Sequence, residues 1–292
     1  MRLAEAVRAL KPSDVNVLRA LAKASRSYRY VPLDVLQEML RISPSVLEKR
    51  LSFLHRLGLI RRWIGQYRGY ELKSIGLDAL ALYTLSRRGF IEALGPKLGV
   101  GKEAEVYEAI TPSGERVAVK FHRAGRRSFK HVRKVRTYLA GVKGSVKTVA
   151  PLIAAKREFE ALELTHHEGI AVPRPIVRVR HAVVTSFIEG ELLYMCRELP
   201  NPSGLLSTIL DNVVQAYRKA GVIHGDLSEY NVVVTPSLSP LIIDWPQWVP
   251  SSHPLAFKLL IRDIEYVASF FKRRFNVMFD LSELYKKLGQ EV

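Results

Sequence analysis

The eight residues at 224–231, His-Gly-Asp-Leu-Ser-Glu-Tyr-Asn, hold the densest chemistry in the chain. Their H-x-D-x-x-x-x-N spacing places a carboxylate, Asp226, to orient a hydroxyl and accept its proton. It places an amide oxygen, Asn231, to ligate magnesium, so one loop serves both tasks. Val232, Val233 and Val234 follow as a strand. Farther on, Leu241-Ile242-Ile243-Asp244 sets a second carboxylate at the end of an apolar run, where a charge without a cation is costly. Magnesium takes oxygen ligands and keeps phosphates in its shell, so Asn231 and Asp244 read as a metal pair. The plainer alternative is a set of turns in which Asp, Ser and Asn side chains cap backbone groups.

Two features upstream fit a bound nucleotide. Gly99-Val100-Gly101-Lys102-Glu103 leads into the alternating run Ala104, Glu105, Val106, Tyr107, so these glycines belong to a strand-turn-strand flap rather than to a Walker loop. Such glycines let backbone close over phosphates without a Cβ in the way. One hairpin later, Val117-Ala118-Val119-Lys120 is similar to the kinase V-A-I-K element and offers an ammonium to the α- and β-phosphates. Such a lysine needs a carboxylate; Glu158 on a downstream helix is the candidate, with Glu160 and Glu163 as alternatives. Residues 185–190 read as a hinge after a strand, with Ser186 and Ile188 placed against adenine. Leu205, Ile209, Val213 and Tyr217 form a helical core stripe, and His166, His167 and His253 form no matched ligand set.

The elements that must position these groups fall into two parts. Over the first 85 residues the periodicity predicts helix, helix, helix, hairpin, helix, the order of a winged helix. Ser13 is expected to cap one helix, with Val15, Leu18, Leu21 and Ala22 on its apolar side. Pro32 opens the next and Ser43-Pro44 the third, which carries Leu47, Leu51, Leu54 and Leu57 and ends at Gly58. Residues 59–72 form the wing, turning at Gly65-Gln66. Lys49, Arg50, Arg56, Arg61, Arg62 and Arg68 are the candidate phosphate contacts on this module, against the alternative of a protein-docking fold. Arg87, Arg88 and Gly89 are expected to break the last helix.

Composition bounds the rest. In 292 residues, 45 Lys and Arg against 28 Asp and Glu give a formal charge of +17, which favours a nucleic-acid partner over a merely cationic surface. The single cysteine, Cys196, permits no internal disulfide and points to a reducing, cytoplasmic setting. Residues 1–10 carry Arg2, Glu5 and Arg8 and do not read as a secretory signal, and no apolar run is long enough to span a membrane. A monomer free of the membrane is expected.

Together these motifs resemble the RIO family of atypical protein kinases, in the subfamily with an N-terminal winged helix. The marks are Gly-Val-Gly-Lys-Glu-Ala at 99–104, Ala-Val-Lys ending at 120, the loop at 224–231, and Ile-Asp-Trp-Pro-Gln at 243–247. The family usually has phenylalanine where Trp245 stands. The resemblance implies an α+β chain: a winged helix-turn-helix over residues 1–84, a linker over 85–91, and a truncated bilobal protein-kinase-like fold over 92–292. In that fold the N-lobe covers about 92–187 and the C-lobe about 188–292. It implies ATP with magnesium, or manganese in its place, autophosphorylation, and a partner in the small ribosomal subunit precursor and its rRNA. It also makes Asp244 catalytic, since the family counterpart is associated with a phosphoaspartate intermediate, and it makes residues 126–147, with Ser128, Thr137 and Ser145, a mobile loop. Only residues 247–292 follow the last motif, too few for a usual activation segment and peptide-docking helices. Two other readings stand beside this one. A nucleotide-sensing winged-helix transcription regulator would bind a defined site, and a small-molecule phosphotransferase would have no need of the winged helix.

Overall fold

The computed structural model describes residues 3–100, 103–123 and 146–280. Gly101, Lys102 and nearly all of the loop expected at 126–147 lie outside the described residues. The architecture is α+β, in two compact units: Met1–Ala155 with Val177–Val184, and Lys156–Ile176 with Thr185–Val292.

The first unit begins with helices α1 (Leu3–Ala9), α2 (Pro12–Ala24), α3 (Leu33–Leu40) and α4 (Pro44–Arg56), with the short strand β1 (Val31–Pro32) before α3. The hairpin β2 (Ile60–Ile64) and β3 (Arg68–Leu72) follows, then α5 (Ser74–Arg87). The three strands pair antiparallel in the order β1-β3-β2. α1 and β1 add to the expected order. Ser13 does not cap α2: Pro12 already occupies its first turn, and Asp14 Oδ2 accepts the Lys11 N–H at 2.9 Å. Leu47, Leu51 and Leu54 of α4 are fully buried, each contributing ~1.5–3 kcal/mol over an exposed position. Gly58, at φ 71°, ends α4, and the Leu59 N–H returns to the Leu54 carbonyl at 3.1 Å. α5 runs through Arg87, three residues into the segment read as linker. Gly89, at φ 74°, turns the chain there, not the arginines.

The same unit holds most of a five-stranded sheet in the order β4-β5-β6-β8-β7. Its strands are β4 (Ala93–Val100), β5 (Ala104–Ile110), β6 (Arg116–His122), β7 (Pro175–Val179) and β8 (Ala182–Ser186). Along β6 the side chains of Val117, Val119 and Phe121 are buried, so the period of two turns Lys120 to the opposite face. β8 reaches Ser186, two residues into the span read as hinge.

Helix α6 (Val146–His167) is divided between the units at Ala155. The second unit continues with β9 (Glu191–Leu192), α7 (Pro202–Gln215), β10 (Val222–Ile223), β11 (Val232–Val234), β12 (Pro240–Ile242), β13 (Val249–Pro250) and α8 (Ala256–Phe275). Asn201 caps α7 by accepting the Gly204 N–H at 2.9 Å. Leu205, Ile209 and Val213 are buried, whereas Tyr217 falls in a π turn, Ala216–Ala220, and is half-buried. β12-β11-β9 form one antiparallel sheet and β10 pairs with β13, which fixes both ends of the loop at 224–231. Among the described residues no helix is long and apolar enough to cross a membrane.

Candidate active site

The loop between β10 and β11 is held by backbone contacts from three directions. Buried His224 sets Nε2 2.9 Å from the Ile243 carbonyl, which only accepts, so that nitrogen carries the proton. Nδ1 is then free to accept the Asp226 N–H at 3.3 Å. Gly225 stands at φ 79°, and a Cβ there would come within 2.7 Å of the Gln247 carbonyl, so the position requires glycine on both counts. Asn231 donates its side-chain N–H to the Asp226 carbonyl at 2.8 Å, and its backbone carbonyl accepts the Ile243 N–H at 2.9 Å. Asn231 thus fastens the carboxylate-bearing turn on one side and the approach to Asp244 on the other.

Asp244 follows β12 at φ 67°, a left-handed conformation that few residues other than glycine adopt and that aspartate tolerates better than most. Trp245 behind it is 1% exposed, donates Nε1–H to the Ile242 carbonyl at 3.1 Å, and lies 4.7 Å from the His224 ring. An indole where the resembled family has phenylalanine therefore brings its own N–H and finds a carbonyl for it. Asp226 remains exposed, yet the protein around its carboxyl raises the pKa above the ordinary aspartate value. The charge of Asp244 adds to that shift and Arg262 opposes it. A carboxyl tuned upward is a better proton acceptor near neutral pH than a free aspartate.

Three contributors were not read from the sequence. Asp263 of α8, fully buried, accepts the Gly225 N–H at 2.6 Å, while Arg262 donates to the Gly225 carbonyl and to Asp263 Oδ1. The available signal was an aspartate set among Leu260, Ile264 and Val267 on an otherwise apolar helical face. Arg157 of α6 donates to the carbonyls of Pro246 and Trp248, and Trp248 Nε1–H returns to the Arg157 carbonyl at 2.8 Å, bracing the segment after Asp244. No motif marks that arginine.

In the first unit, Lys120 lies opposite Val106 in the β5–β6 pair, and Gly99 lies opposite Val106 on the other side. Among the described residues, nothing would crowd a Cβ at Gly99, and its φ is not left-handed, so neither packing nor backbone requires glycine there. Glu103 gives its carbonyl to the Arg123 N–H at 2.7 Å. Of the carboxylates proposed for Lys120, Glu158 is buried, Glu160 pairs with Lys156 at 3.4 Å, and Glu163 is exposed. Ser186 exchanges hydrogen bonds with Arg174: its N–H donates to the Arg174 carbonyl and its Oγ accepts the Arg174 N–H, which removes that backbone donor from any purine. Ile188 lies just beyond the strand, half-buried. On the winged helix, Arg50 is bound to Asp14 at 3.0 Å, Arg68 to Glu48 and Arg61 to Glu71 at 3.7 Å, while Lys49, Arg56 and Arg62 are exposed.

Comparison with known proteins gives the family of this chain. The family model described as RIO domain matches residues 105–284, and that described as Rio2, N-terminal, matches residues 7–88. The chain belongs to the RIO family. It is similar to the serine/threonine-protein kinase rio2 of Schizosaccharomyces pombe, 33% identical over 279 residues that cover 95% of this chain and 80% of that protein. The RIO-type serine/threonine-protein kinase Rio2 of Methanocaldococcus jannaschii is 36% identical over 255 residues, 85% of this chain and 92% of that one. The chain spans about half, 52%, of the rio2 kinase of Dictyostelium discoideum, at 32% identity. The crystal structure of the Rio2 kinase–ADP/Mg2+–phosphoaspartate complex from Chaetomium thermophilum matches with a TM-score of 0.81 and 32% identity, over 94% of this chain and 84% of that one. The RIO chain described here is accordingly an enzyme of the protein-kinase class, with a Rio2-type winged helix ahead of a reduced kinase-like fold.

Proposed function

We propose that the chain transfers the γ-phosphate of ATP, with magnesium, in the manner of a RIO serine/threonine kinase and ATPase. The observation that carries this reading is the loop at 224–231, where Asn231 ties the backbone of Asp226 to the strand leading into Asp244. Asn231 and Asp244 would hold magnesium, which neutralises charge on the phosphates. Asp226 orients the acceptor hydroxyl and takes its proton. Lys120 supplies the ammonium for the α- and β-phosphates, and Glu158, the buried member of its candidate partners, balances it. Gly99, where a Cβ would meet nothing among the described residues, keeps the flap bare for phosphate approach. The Chaetomium thermophilum neighbour, described with ADP, Mg2+ and phosphoaspartate, supports all three as the chemistry of this chain.

On this reading Asp244 is also the nucleophile. Its carboxylate oxygen attacks the γ-phosphorus, the bond to the β-γ bridging oxygen breaks, ADP leaves with that electron pair, and water later hydrolyses the acyl phosphate. After incubation with γ-labelled ATP, protein-bound label is expected to be released by hydroxylamine and to be absent in Asp244→Ala. Label resistant to hydroxylamine and unchanged in Asp244→Ala would show a hydroxyl acceptor instead. The small ribosomal subunit precursor is the proposed partner; the charge of +17 and the winged helix support it. ATP turnover should rise when such particles are added.

A further inference from the structure

Away from the loop and the wing, the first unit contains a cluster of cations around a small cavity. Arg19 and Lys23 on α2 and Arg26 in the turn that closes it follow at four- and three-residue spacing, all exposed, and so lie along one face. Arg180 stands in the turn between β7 and β8 at φ 58°, and Arg178 braces that turn by donating to the Arg180 carbonyl at 3.2 Å. Arg26, Arg180, His181 and Val149 line a cavity of about 30 Å³. Among the described residues, neither Arg180 Nε nor His181 Nδ1, both shut off from solvent, has a hydrogen-bond partner. The charges bearing on Arg180 are Arg19 and Arg26. With burial as the larger cause, they pull its pKa below the ordinary arginine value. A guanidinium does not give up its proton in a protein, so the strain stands as an unmet demand for negative charge. None of the described residues that line the cavity is an Asp or a Glu.

We infer that Arg180, Arg26 and Arg19 form a seat for one phosphate group of an RNA backbone, separate from both the nucleotide site and the wing. The cavity has the volume of about one water, so it admits a single phosphate oxygen and no base or nucleoside. Recognition there is of the backbone and independent of sequence. Arg180, whose Nε–H has no partner among the described residues, and Arg26 line the cavity, and the exposed Arg19 is near enough for its charge to bear on Arg180. Lys23 extends the same line along α2, as a tracked strand of phosphates requires. RNA is favoured over a phosphopeptide or a lipid surface because the whole chain carries +17 and because the cations run as a line of single charges rather than as a closed pocket for one side chain.

The test uses the full chain and a mixed-sequence 20-nucleotide single-stranded RNA, with affinity measured by fluorescence anisotropy across a salt series. Arg180→Gln and Arg26→Gln are each expected to weaken binding about fivefold at low salt and to flatten the slope of log K against log salt by about 0.7, the single-strand value for one phosphate contact. ATP hydrolysis without RNA is expected to stay unchanged. The loss should persist on an Arg61→Gln/Arg62→Gln background, which separates this seat from the wing. Since Arg180→Gln alters a strained turn, Arg26→Gln, on the exposed helix end, decides the matter if the former misfolds. Independently, inorganic phosphate titrated into the wild-type chain should move the Arg180 Nε–H resonance to saturation. Unchanged slope and affinity in Arg26→Gln, or an Arg180 resonance indifferent to phosphate, overturns the proposal. So does a phosphoserine peptide that displaces the RNA more effectively than a competing oligonucleotide of equal charge.

Discussion

Proton transfer at Asp226 depends on the protein around its carboxyl and on charges both within the loop, from His224, and beyond it. Its raised pKa comes first from the protein around the carboxyl and then from Asp244, with Arg262 opposing. The base must be ionised to work, so activity is expected to rise with pH through a limb above the ordinary carboxylate range and to fall as pH drops through it. Replacing Arg262 with Gln removes a cation that favours the ionised form, so the acid limb of a kcat/KM profile should move to higher pH. A limb that stays in place or moves lower would dissociate Arg262 from the base. Gly225→Ala sets a Cβ 2.7 Å from the Gln247 carbonyl at φ 79° and is expected to destabilise the fold by ~1–3 kcal/mol, read as a lower denaturation midpoint at unchanged m. Asp226, Asn231 and Asp244 were legible because one loop and one strand carry them at fixed spacing. Asp263 and Arg262 were not, because they reach the loop from 38 and 37 residues away and nothing in a local pattern records that distance.

At the scale of elements, the site rests on short strands tied by a long helix. β10 and β11 have two and three residues, too few to hold a loop alone, and α8 supplies the fixed point through Asp263. Asp263→Ala leaves the Gly225 N–H and the Arg262 guanidinium without their buried acceptor, which is expected to cost ~1–3 kcal/mol of stability and to lower turnover more than nucleotide affinity. Asp263→Asn, which keeps an acceptor, should recover part of both. Equal stability of the alanine and wild-type chains would show that α8 does not anchor the loop. Helix interiors and the wing were well marked in the sequence, because Leu47, Leu51 and Leu54 repeat at the helical period and Gly65-Gln66 marks the turn between β2 and β3. Ends were less so: Asp14 rather than Ser13 serves α2, and of Arg87, Arg88 and Gly89, all expected to break α5, it is Gly89 that turns the chain, since several residues near each end can serve and packing selects among them.

Over the whole molecule, the winged helix and the kinase-like sheet are not separated by a free linker. Asp78 of α5 is buried, takes both guanidinium nitrogens of Arg123 at 2.7 Å, and lies 2.8 Å from His181 Nε2. That one carboxylate joins the last helix of the winged helix to the end of β6 and to the turn before β8, within one compact unit. Asp78→Ala leaves the buried His181 N–H without its acceptor and the half-buried Arg123 guanidinium with Glu105 alone, and is expected to lower stability by ~1–3 kcal/mol in denaturant unfolding. Separate unfolding of the two modules in the variant, against one transition in the wild type, would mark Asp78 as their coupling. The winged helix followed from local periodicity and the kinase-like fold from its motifs and the resemblance they carry, but their fusion did not, because Asp78, Arg123 and His181 meet only once the chain has folded. The account as a whole claims that this unit and the second one serve phosphoryl transfer with Asp226 as the base. The direct measurement is single-turnover transfer of the γ-phosphoryl group to a hydroxyl acceptor or to water with magnesium, beside equilibrium ATP binding, in the wild type and Asp226→Asn. The expected result is unchanged ATP affinity with transfer slowed at least ~100-fold. Transfer at the wild-type rate, or affinity and transfer lost in equal measure, would contradict it.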